Sequence, residues 1–183
     1  MKKLAVLVSG TGSILEAMIK ADLPIALVVA DRECKGVDIA KDAGIKTVIL
    51  HRIFGKDFDR KKYTEDTVEI LKENNIDLIA MAGYMTVFDA VMFTYYQNRV
   101  LNIHPALLPS FKGDHAVRDA LAFGAKVTGT TIHFATEKLD DGPIVAQEAV
   151  PILYYDTEAT LHERIKVVER RLYPETVRRL LWK

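Results

Sequence analysis

Apolar positions along this chain follow two alternating rhythms. Short, largely apolar runs at Leu4–Val8, Ile25–Ala30, Lys46–Leu50 and Asp77–Ala82 read as buried parallel strands. Between them, apolar residues recur three and four positions apart. Ile14, Leu15, Met18 and Ile19 mark Ser13–Lys20; a short stretch follows at Val37–Ala43; and Val68, Ile70 and Leu71 mark Tyr63–Asn74. These spacings predict helices with one buried face. Gly44 stands where a helix C-terminal cap belongs.

Beyond Ala82 the pattern predicts a helix through Asp89–Gln97 and a strand at Arg99–Asn102, then a proline-punctuated loop, Pro105–Gly113. His115–Phe123 reads as a helix closed by Gly124. Val127–Phe134 and Pro143–Val150 read as two further strands, joined by a loop that holds Asp140-Asp141-Gly142. Thr157–Trp182 reads as one long C-terminal helix that Pro174 is expected to kink or divide. The strand–helix alternation predicts an α/β fold, with a mostly parallel central sheet and helices on both faces.

Length and composition narrow the class. At 183 residues, and with no linker or repeat, the chain is expected to form a single domain, residues 1–183. Hydrophobic residues make up 49% and charged residues 27%, a globular composition. Lys+Arg and Asp+Glu each number 25, and this balance argues against a protein that tracks nucleic-acid backbones. The longest charge-free runs, Leu4–Leu15 and Val100–Phe111, have 12 residues each. A membrane span needs about 18 or more, so none is expected. Lys2 and Lys3 ahead of Leu4–Val8 imitate a signal peptide, but Ser9–Gly12 interrupts the apolar stretch. Cys34 is the only cysteine, which excludes an internal disulfide and fits a cytoplasmic protein. Asp31, Glu33 and Asp38 beside it disfavour a reactive thiolate.

Three segments carry candidate chemistry. Ser9-Gly10-Thr11-Gly12-Ser13 lies between a strand and a helix, where free N–H groups favour an anion. Leu15 occupies the third position of a dinucleotide fingerprint, where glycine or alanine is expected. That favours a phosphate monoester over NAD, although Asp31 stands about where a ribose-binding acid would fall. Asn102-Ile103-His104-Pro105 closes a strand, and alternation sends the Asn102 and His104 side chains the same way. An amide and an imidazole together can hold a carbonyl oxygen as it gains charge. Asp140, if it lies beside His104, would favour and orient an imidazolium. His133, within an alternating strand, is a core or substrate-facing candidate. The spacing of His51, His115, His133 and His162 suits no metal, and none is expected. Lys166 and Glu169 share a helix face, and the arginines around them read as a solvated basic surface.

Taken together, these segments resemble the phosphoribosylglycinamide formyltransferase family, folate-dependent enzymes of purine biosynthesis. The likeness runs through Val8–Ser13, Ala82-Gly83-Tyr84-Met85, Asn102–Pro109, Gly129–Phe134, Leu139–Ile144 and the helix around Glu169. It implies a Rossmann-like formyltransferase fold, with a phosphate-binding half at about residues 1–100 and a catalytic half at about 101–183. It implies transfer of a formyl group from 10-formyltetrahydrofolate to the amine of glycinamide ribonucleotide. The family's catalytic asparagine, histidine and aspartate fall on Asn102, His104 and Asp140. Substrate contacts fall on Gly12, Ser13, Ile14, Lys166 and Glu169. Folate contacts fall on Met85, Thr86, Val87, Phe88 and Asn102, with Arg60 toward the glutamate tail. The sequence departs from the family at Ile14, where asparagine is common, at Thr86, where arginine is, and at Lys112, where proline is. The partners implied are small molecules, with no nucleic acid or membrane, in a monomer or homodimer.

Two other formyl-handling readings share the catalytic segment. A formyltetrahydrofolate deformylase would carry an N-terminal regulatory domain, for which a first strand starting at Lys3 leaves no room. A methionyl-tRNA formyltransferase would carry a C-terminal RNA-binding domain beyond Lys183. A non-catalytic nucleotide-binding module would use Gly10, Gly12 and Asp31 and leave His104 without a role.

Overall fold

The structure, a computed structural model, describes residues 2–53 and 55–182, so the ends of the expected domain, Met1 and Lys183, lie outside it. The first half runs β1 (Leu4–Val8), α1 (Ser13–Lys20), β2 (Ile25–Ala30), α2 (Lys35–Asp42), β3 (Thr47–Ile49), α3 (Arg60–Glu73) and β4 (Leu78–Met81). The second runs α4 (Ala90–Tyr95), β5 (Val100–His104), α5 (Ala116–Phe123), β6 (Val127–Phe134), β7 (Ile144–Pro151) and α6 (Glu158–Leu181). The strands form one sheet in the order β3-β2-β1-β4-β5-β6-β7. From β3 to β5 neighbours pair in parallel; β6 and β7 pair antiparallel. The α/β expectation holds.

Alternation along β1 divides the core. Leu4, Val6 and Val8 face α1, α2 and α6, packing with Leu15, Met18, Val37, Tyr173 and Val177. Ala5 and Leu7 face the other way, toward Tyr63, Val68 and Leu71 of α3 and Met92 of α4. Each fully buried aliphatic side chain contributes about 1.5–3 kcal/mol relative to exposure, so both faces must be covered. That is why these central strands read as unbroken apolar runs.

Boundaries moved where polar chemistry rather than apolar rhythm sets them. Helix α3 starts at Arg60 instead of Tyr63, because the Asp59 carboxylate accepts from the Lys62 N–H and caps an exposed, wholly polar first turn. β5 continues past Asn102 to His104, held by antiparallel pairing of His104 with Thr131. Pro174 neither divides nor ends α6. Tyr173 just before it is fully buried, with its hydroxyl against the Met81 and Leu101 carbonyls, and Val177 and Leu181 bury the following turns. Tertiary packing on both sides of the proline outweighs the one lost helical hydrogen bond. Among the described residues no helix is long and apolar enough to cross a membrane.

Candidate active site

The sheet's order reverses between β1 and β4, and there the carboxyl ends of adjacent strands splay into a crevice. A cavity of about 410 Å³ occupies it. Its walls come from Gly10–Ile14 after β1, Met81–Phe88 after β4, and Asn102–Pro105 at the end of β5. Lys138–Asp140 of the β6–β7 loop, and Lys166 and Glu169 of α6, complete it. Residues far apart in sequence therefore meet: Asn102, His104 and Asp140; Gly12, Ser13 and Ile14; Lys166 and Glu169; and Met85, Thr86, Val87 and Phe88. Arg60 is exposed at the start of α3 and is not part of these walls.

His104 is buried with an acceptor at each ring nitrogen. Nδ1 lies 3.3 Å from Asp140 Oδ2, and Nε2 lies 2.7 Å from the Phe111 carbonyl oxygen. A ring N–H on either nitrogen finds an acceptor, and a doubly protonated ring can donate to both. Asp140 Oδ2 also accepts from the Gly113 N–H at 2.9 Å. Burial pushes the Asp140 carboxyl up, but His133, the Gly113 N–H and His104 outweigh it and hold the carboxyl below its ordinary range. The Asp140 backbone is left-handed, with φ of 51°, a conformation that Asp and Asn tolerate better than most residues.

His133 is a site residue whose role the sequence left open. Antiparallel register sets it directly opposite Asn102. Its Nε2 lies 3.4 Å from Asn102 Nδ2 and 3.7 Å from Asp140 Oδ1, while Nδ1 donates to the Phe134 carbonyl. His133 Nε2 thus sits between the amide and the carboxylate. The signal that could have found it was the β6 alternation, which only the strand pairing converts into a position.

The loop carrying Asp140 is pinned by Gly142. A Cβ there would stand 1.7 Å from the Phe134 carbonyl oxygen, a backbone atom that cannot yield. Gly142→Ala is expected to leave the sheet folded but displace Asp140. A displacement of about 1 Å is enough for about a 100-fold loss of kcat/KM, read by steady-state kinetics beside a thermal melt. Lys112 pairs with Asp141 across this loop, an exposed contact that adds little stability but ties the two loops together.

Helix α1 begins without any side-chain cap, leaving its first N–H groups to the cavity. Gly12 starts it with φ of +71°, and a Cβ there would lie 2.7 Å from the Gly36 Cα, so only glycine fits. Ile14 is buried in the core and offers the cavity no side-chain donor. On α6, Lys166 pairs with Glu163 at 2.7 Å in an exposed bridge. Glu169 is buried, its one side-chain hydrogen bond among the described residues coming from the Thr130 hydroxyl at 3.4 Å, and burial pushes its carboxyl up to about 7.

On the β4 side, Met85 and Val87 are exposed, whereas Thr86 and Phe88 turn their side chains inward. The Phe88 ring stacks on Tyr84, with centroids 5.5 Å apart. Thr86 donates its hydroxyl to Asp31 Oδ2 at 2.9 Å. Asp31, the candidate ribose-binding acid, is itself fully buried, with Arg32 bonding both carboxylate oxygens. Arg52 reaches the Met85 carbonyl and the Thr86 hydroxyl, which brings a guanidinium beside the position where the sequence lacks arginine. The Asp31 carboxylate is committed within the fold, which removes the structural basis for the nucleotide-binding module.

A family model described as formyl transferase matches residues 2–177. The phosphoribosylglycinamide formyltransferase of Mycobacterium tuberculosis (strain H37Rv) is 42% identical over 175 residues, spanning 93% of this chain and 80% of that protein. The Bacillus subtilis (strain 168) phosphoribosylglycinamide formyltransferase is 36% identical over 189 residues, spanning 99% of this chain and 95% of that protein. The crystal structure of phosphoribosylglycinamide formyltransferase from Bacillus halodurans matches with a TM-score of 0.92 at 41% identity, covering 100% of this chain and 96% of that one.

Proposed function

The chain belongs to the formyl transferase family, and from that premise we propose the reaction and the residues that carry it out. The protein is a phosphoribosylglycinamide formyltransferase of purine biosynthesis, acting on small molecules. It transfers the formyl group of 10-formyltetrahydrofolate to the amine of glycinamide ribonucleotide, in the cytoplasm. The observation that carries this reading is the buried His104–Asp140 pair at 3.3 Å, sharing one cavity with Asn102 and the uncapped start of α1.

In this reading the substrate phosphate sits on the N–H groups of Gly12, Ser13 and Ile14 and draws Lys166 from its exposed pairing with Glu163. Glu169 receives the amine. Met85 and Val87, with the backbone of Thr86 and Phe88, flank the folate ring. Arg60, outside the cavity walls, can serve only the glutamate tail. The apolar walls and the adjoining buried polar cluster suit a flat heterocycle whose reactive carbonyl must reach a charged donor. The folate cosubstrate supplies the formyl group.

Asn102 Nδ2 and the His104 Nε2–H hold the formyl oxygen while the amine attacks the carbonyl carbon. Negative charge gathers on that oxygen, where the amide and imidazole N–H groups stabilise it. Nε2 gives up the Phe111 carbonyl to make this bond. As the new N–C bond forms and the bond from carbon to the folate nitrogen breaks, the proton lost by the amine passes to that nitrogen. Asp140 keeps His104 charged and oriented and relays the proton through water.

The test is spectroscopic assay of the purified protein with 10-formyltetrahydrofolate, with and without glycinamide ribonucleotide. Folate product formed only with the ribonucleotide, together with the mass of the formylated ribonucleotide, supports the transferase. Formate released without the ribonucleotide would make it a hydrolase instead.

A further inference from the structure

One titratable wall of the cavity has no task in this mechanism. His162 lies on α6 one turn before Lys166, on the same helix face, and both line the cavity with Gly10–Ile14. The ring is half-buried and forms no hydrogen bond among the described residues. The other side chains on this wall supply the Thr11 and Ser13 hydroxyls and the Lys166 ammonium, while Ile14 supplies no donor.

We propose that His162 is a second cationic donor to the phosphate of the ribonucleotide, acting beside Lys166 and making substrate affinity fall as pH rises. The inference rests on the function proposed above. Among the described residues the charges acting on the ring lie on α6. In the free protein burial and the Lys166 ammonium push its titration down, while Glu163 and Glu158 pull it up. A bound phosphate adds negative charge beside the ring, so binding takes up a proton and the imidazolium forms when it is needed. His162 also offsets the donor missing at position 14. It is a positioning residue for binding, so its loss falls on KM.

Ribose 5-phosphate, which has the phosphate but no amine, isolates this end of the site from Glu169. Proton NMR follows the His162 ring through a pH titration with and without ribose 5-phosphate, its signal assigned by its absence in His162→Gln. The ring is expected to titrate at higher pH with the ligand present. In kinetics, His162→Gln is expected to raise KM for the ribonucleotide about fivefold at about pH 6, with little change in kcat, and to flatten the rise in KM toward about pH 8. An unchanged titration with ribose 5-phosphate overturns the proposal, as does a variant that keeps the wild-type pH dependence of KM. Wild-type protein that shows the NMR shift but no formyl transfer would sink the proposed reaction while leaving the phosphate contact standing.

Discussion

His104→Ala and Asp140→Asn are each expected to lower kcat by about 10³-fold, and the double variant to lose little beyond the worse single one. The reason is geometric. His104 Nδ1 and Asp140 Oδ2 are 3.3 Å apart and both buried, so in the proposed mechanism the ring that would meet the formyl oxygen keeps its orientation through this partner. Removing His104 leaves Asp140 without the ring it orients. Converting Asp140 to the amide removes the carboxylate that holds the ring. Asn suits the second test because it preserves both side-chain volume and tolerance of the left-handed backbone at position 140. Thermal melts of the variants should stay cooperative, separating lost chemistry from lost fold. If the two losses multiply, the residues act independently and the proposed coupling is wrong.

Glu169→Gln is expected to stabilise the protein at alkaline pH and weaken it as an enzyme. The Glu169 carboxyl is buried, and burial raises it from an ordinary value of 4.5 to about 7. The folded state therefore binds this proton more tightly than the unfolded chain does. Stability falls as pH rises from about 4.5 to about 7, and above that the ionised group costs about 3 kcal/mol at 1.36 kcal/mol per pH unit. Glutamine keeps the shape and a hydrogen bond to Thr130 while removing the charge. The variant should match wild type at about pH 4 and melt several degrees higher at about pH 8. Its KM for the ribonucleotide should rise if Glu169 receives the amine as proposed. A melting difference that does not change with pH would exclude Glu169 as the titrating group.

The opposite signs of the two carboxyls are instructive. Both Asp140 and Glu169 are buried, yet one is held below its usual range and the other above it. Asp140 has two histidines and a backbone N–H around it; Glu169 has one hydroxyl. Sequence neighbours do not distinguish them, since Gly113, His104 and His133 reach Asp140 from distant elements.

How much was legible follows the range of the interactions involved. The five parallel strands, the alternation with helices and the glycine turn after β1 were readable, because period and glycine placement are local consequences of burial and backbone sterics. Alternation also put Asn102 and His104 on one side of their strand. The start of α3 was missed because a capped polar turn has no apolar rhythm, and the continuity of α6 was missed because packing rather than propensity keeps Pro174 helical. The formyltransferase resemblance rested on short local segments such as Asn102–Pro109 and Gly129–Phe134. What tertiary structure alone decided is which distant groups meet: the strand order that opens the crevice, the β5–β6 register that sets His133 against Asn102, and the loop that brings Asp140 to His104. Contacts of that kind depend on several elements docking at once, and no local stretch of sequence encodes their distances or the charges they impose.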